Sequence, residues 1–243
     1  MRDIVDFHSH VLPGMDDGSK SVEMSLEMLR REAEQGIRQV IATPHFYPWA
    51  EHPEQFLERR ALAAENLQKA LEIHGGLPDV ILGAEVRYFS GICYSDWLPA
   101  LTIGGKKCIL IEMPDVPWTD GMLGELADIY EKHNFIPVIA HLDRYVGLFR
   151  NRGIPERLTD LPILVQANAS FFLQPGTGWL AMKMLRKEQI HLLGSDCHNL
   201  TDRAPNLGPA LEKIRKKLGN DAVARIQQYQ NLIDDSIHSY IEE

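Results

Sequence analysis

A chain of 243 residues with 44% apolar and 24% charged content can bury a sizeable core and is too ordinary in composition for a fibrous or disordered protein. Its 25 Lys and Arg against 34 Asp and Glu leave a formal charge of −9, which disfavours a nucleic-acid backbone as partner and demands a local positive site for any anionic substrate. Cys93, Cys108 and Cys197 form no CxxC pair, the N-terminus carries no apolar leader core, and no apolar run approaches the ~20 residues of a membrane span; the expectation is a soluble, cytoplasmic protein with no direct membrane insertion.

In chain order, residues 3–7 form an apolar strand that delivers His8, Ser9 and His10, and strand alternation aims both imidazoles to one side. An acidic turn, Asp16-Asp17-Gly18, follows, and either carboxylate can reach the same place. Residues 21–35 read as a helix with Val22, Leu26, Leu29 and Ala33 on one face, ended by Gly36. A strand over 39–42 runs into Thr43-Pro44-His45. A long charged helix over 53–74 turns Phe56, Leu57, Ala64, Leu67 and Leu71 inward and stops at Gly75-Gly76. Strands at 80–84 and 108–111 end in Glu85 and Glu112, and a helix over 121–133 carries Leu123, Leu126, Ile129 and Tyr130. The strand at 136–140 ends in His141, and the one at 163–167 in the polar Asn168-Ala169-Ser170. After a helix at 178–187, a strand at 191–194 leads to Asp196 and His198. A helix at 206–218 and a polar helical segment at 221–243, packed on the outside, complete the chain.

This alternation predicts a parallel sheet covered by helices, and the near-continuous apolar strands fit burial on both faces. Seven such units in 243 residues suit a closed or nearly closed (β/α) barrel, read as a single domain over residues 1–243. In such a barrel, functional residues collect at the C-terminal ends of the strands. Six of the seven predicted strands deliver a His or a carboxylate there. One such residue alone would be an ordinary hydrogen-bonded or capping group. Together, His8, His10, Asp17, His45, Glu85, Glu112, His141, Asp196 and His198 exceed what one ion can use and point to two or three ions of Zn, Mn or Fe. Three divalent ions against four carboxylates would leave a site of about +2, attractive to a phosphate dianion.

Arg144 and Arg203 follow His141 and His198 and would hang over the same mouth, either as phosphate-binding forks or as surface ion pairs. Cys197 and Arg203 also stand in a C-x5-R spacing, the pattern of cysteine-dependent phosphatases. The intervening residues lack the glycine of a phosphate cradle, so that reading is set aside. His52, His74, His133, His191 and His238 lack strand-end placement and read as surface or core residues. Phe46, Tyr47, Trp49 and Trp118 either cover the barrel rim or form an aromatic lip for a flat substrate ring.

With these pieces in view, the chain resembles the polymerase and histidinol phosphatase (PHP) superfamily, and within it the bacterial tyrosine-protein phosphatases of capsular and exopolysaccharide loci. The resemblance is carried by residues 6–18, Ala42-Thr43-Pro44-His45, Gly83-Ala84-Glu85-Val86, Ile111-Glu112-Met113, residues 137–145 and residues 194–203, in order along the chain. It implies a distorted (β/α)7 barrel with a trinuclear, usually manganese-activated site. By position, one metal would take His8, His10, Glu85 and Asp196. A second would share Glu85 and add Glu112 and His141, and a third would use Asp17, His45 and His198. Arg144 and Arg203 match the phosphate-binding arginines. The implied substrate is the phosphorylated tyrosine-rich tail of a membrane-associated autokinase. Two positions depart from the pattern: Phe46 follows His45 where a second His is common, and Ala204 follows Arg203 where a Pro is common, which would make that loop less rigid.

The expected activity is therefore phosphotyrosine hydrolysis, with the metals, Arg144, Arg203 and Asp196 serving the reaction. A small-molecule phosphomonoesterase of the histidinol-phosphatase kind and a catalytically silent, kinase-docking metal protein are the alternatives. A wide rim would favour the protein substrate, and a closed pocket a metabolite.

Overall fold

The computed structural model describes residues 4–105, 108–146 and 153–235, the last five as backbone only. Residue 3 of the predicted first strand, the end of the predicted C-terminal helix and His238 lie outside the described residues.

Among the described residues nine short strands run in chain order: β1 (Ile4–Ser9), β2 (Ile37–Ala42), β3 (His45–Phe46), β4 (Asp79–Leu82), β5 (Glu85–Arg87), β6 (Cys108–Glu112), β7 (Ile136–Ile139), β8 (Leu164–Asn168) and β9 (Leu192–Gly194). All pair in parallel, in the orders β1-β2-β4 and β3-β5-β6-β7-β8-β9. Seven of these overlap the predicted strands, and β3 and β5 are additional short strands, each resuming the pairing after a break. Pro44 lacks an N–H, and the chain resumes pairing at His45. The second break falls at Gly83-Ala84, where Gly83 N donates to Ala42 O (2.9 Å) and Glu85 N to Pro44 O (3.0 Å), so the ladder steps across both breaks together. The sheet curls until β9 meets β1. There Asp196 N donates to His8 O (2.8 Å) and His10 N to Cys197 O (2.9 Å).

Helices cover the outside: α1 (Val22–Glu34), α2 (Pro53–His74), α3 (Asp120–His133), α4 (Asp143–Val146), α5 (Ile154–Leu158), α6 (Ala169–Leu173), α7 (Gly178–Arg186), α8 (Leu207–Leu218) and α9 (Asn220–Asp235). Three 3-10 turns take the place of a helix between β5 and β6. The main helices were legible from periodicity and caps. Ser21 caps α1 by accepting from Met24 N, and Thr119 caps α3 by accepting from Met122 N. Gly36 follows α1 at φ +82, the left-handed turn that a glycine allows. The short α4, α5 and α6 carry too few turns for a periodic signal. Tyr130, expected inward on α3, is instead 38% exposed.

The main apolar core lies between the sheet and these helices. A smaller cluster, Phe7, Ile41, Leu110, Val138, Ala140 and Leu192, draws on five strands and fills the inside of the curl. Its membership fixes which side of each strand faces inward, and so where the site residues must turn.

Candidate metal centre

Since Phe7 faces inward, simple alternation would send His8 outward. It does not, because β1 carries an irregularity: Asp6 pairs with Val40 and Ser9 with Ala42, so three steps on β1 match two on β2. This bulge re-aims His8 into the curl. His141 has the same problem after Ala140 and solves it with backbone at φ +32. Asp196 sits at φ +52. Such conformations are unfavourable for non-glycine residues and persist where surroundings enforce them.

The result is a tight cluster. His8 Nε2 and His10 Nε2 lie 3.1 Å apart, and both face Glu85 Oε2 (3.2 and 3.4 Å) and Asp196 Oδ1 (3.6 and 3.5 Å). Glu85 is the hub. Its Oε1 meets His141 Nε2 at 2.7 Å, and its Oε2 also lies 2.9 Å from His45 Nδ1. Glu112 Oε1 lies 3.6 Å from His141 Nε2. On the other flank Asp17 Oδ1 faces both His45 Nε2 (3.5 Å) and His198 Nε2 (3.4 Å). All nine sequence-derived candidates therefore converge.

Buried carboxylates and imidazoles this close need compensation. Glu85 Oε2 and His198 Nε2 are buried and make no hydrogen bond. Groups of ligating atoms lie within 4.8 Å of one another in three overlapping sets: His8, His10 and Glu85; His45, Glu85 and Glu112; and His10, Asp17, His45 and His198. A mixed oxygen and imidazole donor set with orphaned lone pairs fits divalent transition ions. Burial alone would raise Glu85, yet the surrounding imidazoles hold it well below the usual carboxylate range. Burial likewise disfavours charge on His10, but Asp16 and Glu85 outweigh it and push that ring up to about 10. His198, buried and beside His10, is pushed down to about 4 and so presents a neutral lone pair.

Arginines crown the mouth. Arg144 Nη2 donates to Asp196 Oδ2 at 2.6 Å, and Arg203 Nη2 to Asp196 Oδ1 at 2.9 Å. Arg203 Nη1 also lies 3.5 Å from Asp17 Oδ2. Arg87, missed in the sequence, pairs with Glu112 Oε2 at 2.9 Å.

An outer layer holds the rings. Asp16 separates from Asp17 by its partners: Asp16 Oδ2 accepts from His10 Nδ1 (2.7 Å) and His45 N (2.9 Å), and its Oδ1 from Gly18 N (2.8 Å). It orients His10 and leaves Asp17 facing the centre. Gln166 Oε1 contacts His8 Nδ1 (3.3 Å) and accepts from His141 N (2.6 Å). Gln166 Nε2 donates to Asn168 Oδ1 (3.1 Å), and Asn168 Nδ2 to Asp196 Oδ2 (2.9 Å). One amide chain from β8 thus ties three candidate ligands. Cys197 faces away, beside Asp6 and Glu32, and burial pushes its thiol up, which removes the thiolate that the C-x5-R reading needs.

The family model for capsular polysaccharide synthesis proteins CpsB/CapC matches residues 4–233. This chain belongs to the CpsB/CapC family. Among relatives of this CpsB/CapC chain, the tyrosine-protein phosphatase YwqE of Bacillus subtilis is 32% identical over 233 residues, covering 90% of this chain and 86% of its own. The tyrosine-protein phosphatase CpsB of Streptococcus pneumoniae is 29% identical over 229 residues, covering 89% and 91%. A crystal structure from work on those two proteins, described as unique metal-dependent tyrosine phosphatases, matches with a TM-score of 0.83 at 26% identity, over 95% of this chain and 94% of that one.

In this family member the two departures have local explanations. Phe46 is fully buried against Phe56 and Trp97, a core role that a second His could not fill. Trp118 is buried too, so of the four rim aromatics only Tyr47 and Trp49 stand at the mouth. The loop with Ala204 is held from other sides: His198 N donates to Arg203 O (2.9 Å), Arg203 N to Asn199 Oδ1 (3.1 Å), and Gln35 Nε2 on α1's C-cap to Pro205 O (2.9 Å). The remaining described histidines are structural or peripheral: His133 Nε2 bonds Cys93 O, His74 Nδ1 bonds Ala70 O, and His191 Nδ1 accepts from Val165 N.

Proposed function

We propose that this chain is a metal-dependent protein-tyrosine phosphatase, a phosphoric monoester hydrolase acting on a phosphotyrosine protein of the capsular or exopolysaccharide machinery. The observation that carries the reading is the buried Glu85 carboxylate shared among four imidazoles beneath two arginines that converge on Asp196. The curled sheet is read as a distorted (β/α)7 barrel in one domain over residues 1–243, with β2 and β3, and β4 and β5, each counted as one interrupted strand. One ion would be held by His8, His10, Glu85 and Asp196, a second by Glu85, Glu112 and His141, and a third by Asp17, His45 and His198. The mixed donor set supports Mn2+, with Fe or Zn as competitors.

When bound, divalent ions supply Lewis acidity and make hydroxide available near neutral pH. Arg144 and Arg203 present guanidinium forks where phosphoryl oxygens would rest, and Asp196 sets the distance between them. Asp16, Gln166 and Asn168 keep the rings and carboxylates aimed. A phenolate leaving group, with a pKa of about 10, needs less proton assistance than an alkoxide. The proposed substrate is a tail of a membrane-associated tyrosine autokinase, met from the cytoplasm. No described helix is long and apolar enough to cross a membrane.

The test is phosphate release from phosphotyrosine peptides and from histidinol phosphate, after chelation and after Mn2+ is returned. Turnover of the peptides should vanish on chelation, return with Mn2+, persist in Cys197→Ser and fall at least about 100-fold in Arg203→Ala. Activity that survives complete metal removal and disappears in Cys197→Ser would defeat the reading.

A further inference from the structure

The rim next to the centre carries a second recess. Tyr47 stacks on His45 with ring centroids 5.3 Å apart, and Trp49 follows at 5.6 Å from Tyr47. Tyr47 is half-buried, and its stacking on His45 places it at the edge of the centre. Beyond it opens a cleft of about 440 Å3 lined by Pro48, Trp49, His52 and Pro53 from the segment after β3 and by Phe89, Ser95 and Trp97 from the segment after β5. Among the described residues no Asp, Glu, Lys or Arg lines this cleft.

Its lining rings differ. Phe89 and Trp97 stack at 5.7 Å with 25° between their planes, and Trp97 stands edge-on to the buried Phe46 at 5.3 Å. That pair is anchored in the core. Trp49, which lines the same cleft, is 67% exposed. A core-anchored ring pair and an exposed ring lining one cleft offer faces and edges to a third ring, since aromatic contacts form with centroids about 4.5–7 Å apart. The path from the centre to the cleft runs over aromatic rings without a break. It spans two ring steps, a distance that an extended peptide covers in about three residues at roughly 3.3–3.6 Å each.

We propose that the cleft lined by Trp49 and the Phe89–Trp97 pair is a subsite for an aromatic side chain of the substrate, lying within about three residues of the phosphotyrosine. The inference rests on the tyrosine-phosphatase reading and adds a substrate preference to it. The occupant is a ring rather than a charged side chain, because four of the seven described lining residues are aromatic or imidazole rings and none carries a fixed charge. Trp49 is a specificity-determining residue in this scheme and touches none of the reacting atoms.

The experiment uses the full chain loaded with Mn2+. Phosphotyrosine peptides carry one Phe or Tyr at each position from −3 to +3 in an otherwise Gly/Ser background, and free phosphotyrosine serves as reference. At one or two positions the ring should raise kcat/KM about five- to tenfold, mainly through KM. Trp49→Ala should bring that peptide down to the level of the ring-free one while leaving turnover of free phosphotyrosine unchanged. Ser95→Trp, which fills the cleft from the segment after β5, should do the same. Equal kcat/KM for all peptides in the unsubstituted protein would overturn the inference alone, as would a preference that persists in both variants. Failure to release phosphate from any phosphotyrosine substrate would overturn the phosphatase reading and the inference with it.

Discussion

Gln166 shows how much of the proposed metal site lies outside its candidate ligands. Its single carbonyl oxygen serves the His8 ring and the His141 backbone, the two places where chain geometry runs against plain alternation. A side-chain amide in the middle of a strand has no chemistry of its own, so nothing in the sequence distinguished it from any buried polar residue. Gln166→Leu keeps the volume and deletes the acceptor. The expected outcome is Mn2+ affinity weakened by about 10–100-fold, measured by calorimetric titration, with the metal-free protein destabilised by about 1–3 kcal/mol through the unsatisfied His141 N–H. An unchanged affinity would mean that packing alone aims His8. Asp17 was legible only as one of an adjacent pair. What separates it from Asp16 is a set of backbone donors, Gly18 N and His45 N, that the linear sequence does not display.

At the level of elements, the strand-end rule located all nine candidate ligands because a parallel, curled sheet brings its C-terminal strand ends to one rim. What it could not supply was the register. The β1 bulge and the paired breaks at Pro44 and Gly83-Ala84 are decisions between neighbouring strands. The approach of β9 to β1 is the closest of these. A Cβ at Gly194 would stand 2.5 Å from His8 Cβ and 2.8 Å from His8 N. Gly194→Ala must therefore push the two strands apart, and both walls of the centre move with them. The expectation is a loss of about 2–4 kcal/mol in urea unfolding together with reduced Mn2+ content. Gly124 on α3 is the contrast: a Cβ there meets nothing within 4 Å. Gly124→Ala should stabilise by about 0.5–1 kcal/mol, as glycine in a helix interior costs backbone entropy. Equal responses at the two glycines would show that the β1–β9 contact is looser than its backbone bonds indicate.

Across the whole molecule, charge and pH behaviour separate by location. A protein of net charge −9 nonetheless gathers Arg87, Arg144 and Arg203 at the mouth, so attraction for an anion is local and salt-sensitive. At the opposite end, before β9, His191 is packed edge-on against Tyr229 near Lys187 and Glu188, and its Nδ1 accepts from Val165 N. Burial pushes it down to about 4, with Glu188 opposing. The unfolded chain therefore binds the proton more tightly, and stability from this group is complete above about pH 6.5 and lost as pH falls toward 4. Metal-stripped His191→Asn should lose less stability than the parent between pH 7 and 5, by about 1–2 kcal/mol in urea unfolding. Parallel pH slopes would assign the acid sensitivity elsewhere.

The seam between β1 and β9 also orders events in time. Asp6 on β1 accepts from Ser195 N at 2.8 Å and from Ser195 Oγ at 2.5 Å across 189 residues of sequence. A chain emerging from the ribosome makes His8 and His10 almost first, and Asp196 and His198 only near the end of synthesis. Local helices and the early strand pairs can form as they emerge, but the most distant pairing must wait for its loop to close. On the proposed reading, a nascent or truncated chain lacking β9 keeps Arg144 and the seven earlier candidate ligands but has neither Asp196 and His198 nor Arg203, so hydrolysis of the phosphorylated substrate must wait until residue 203 is in place.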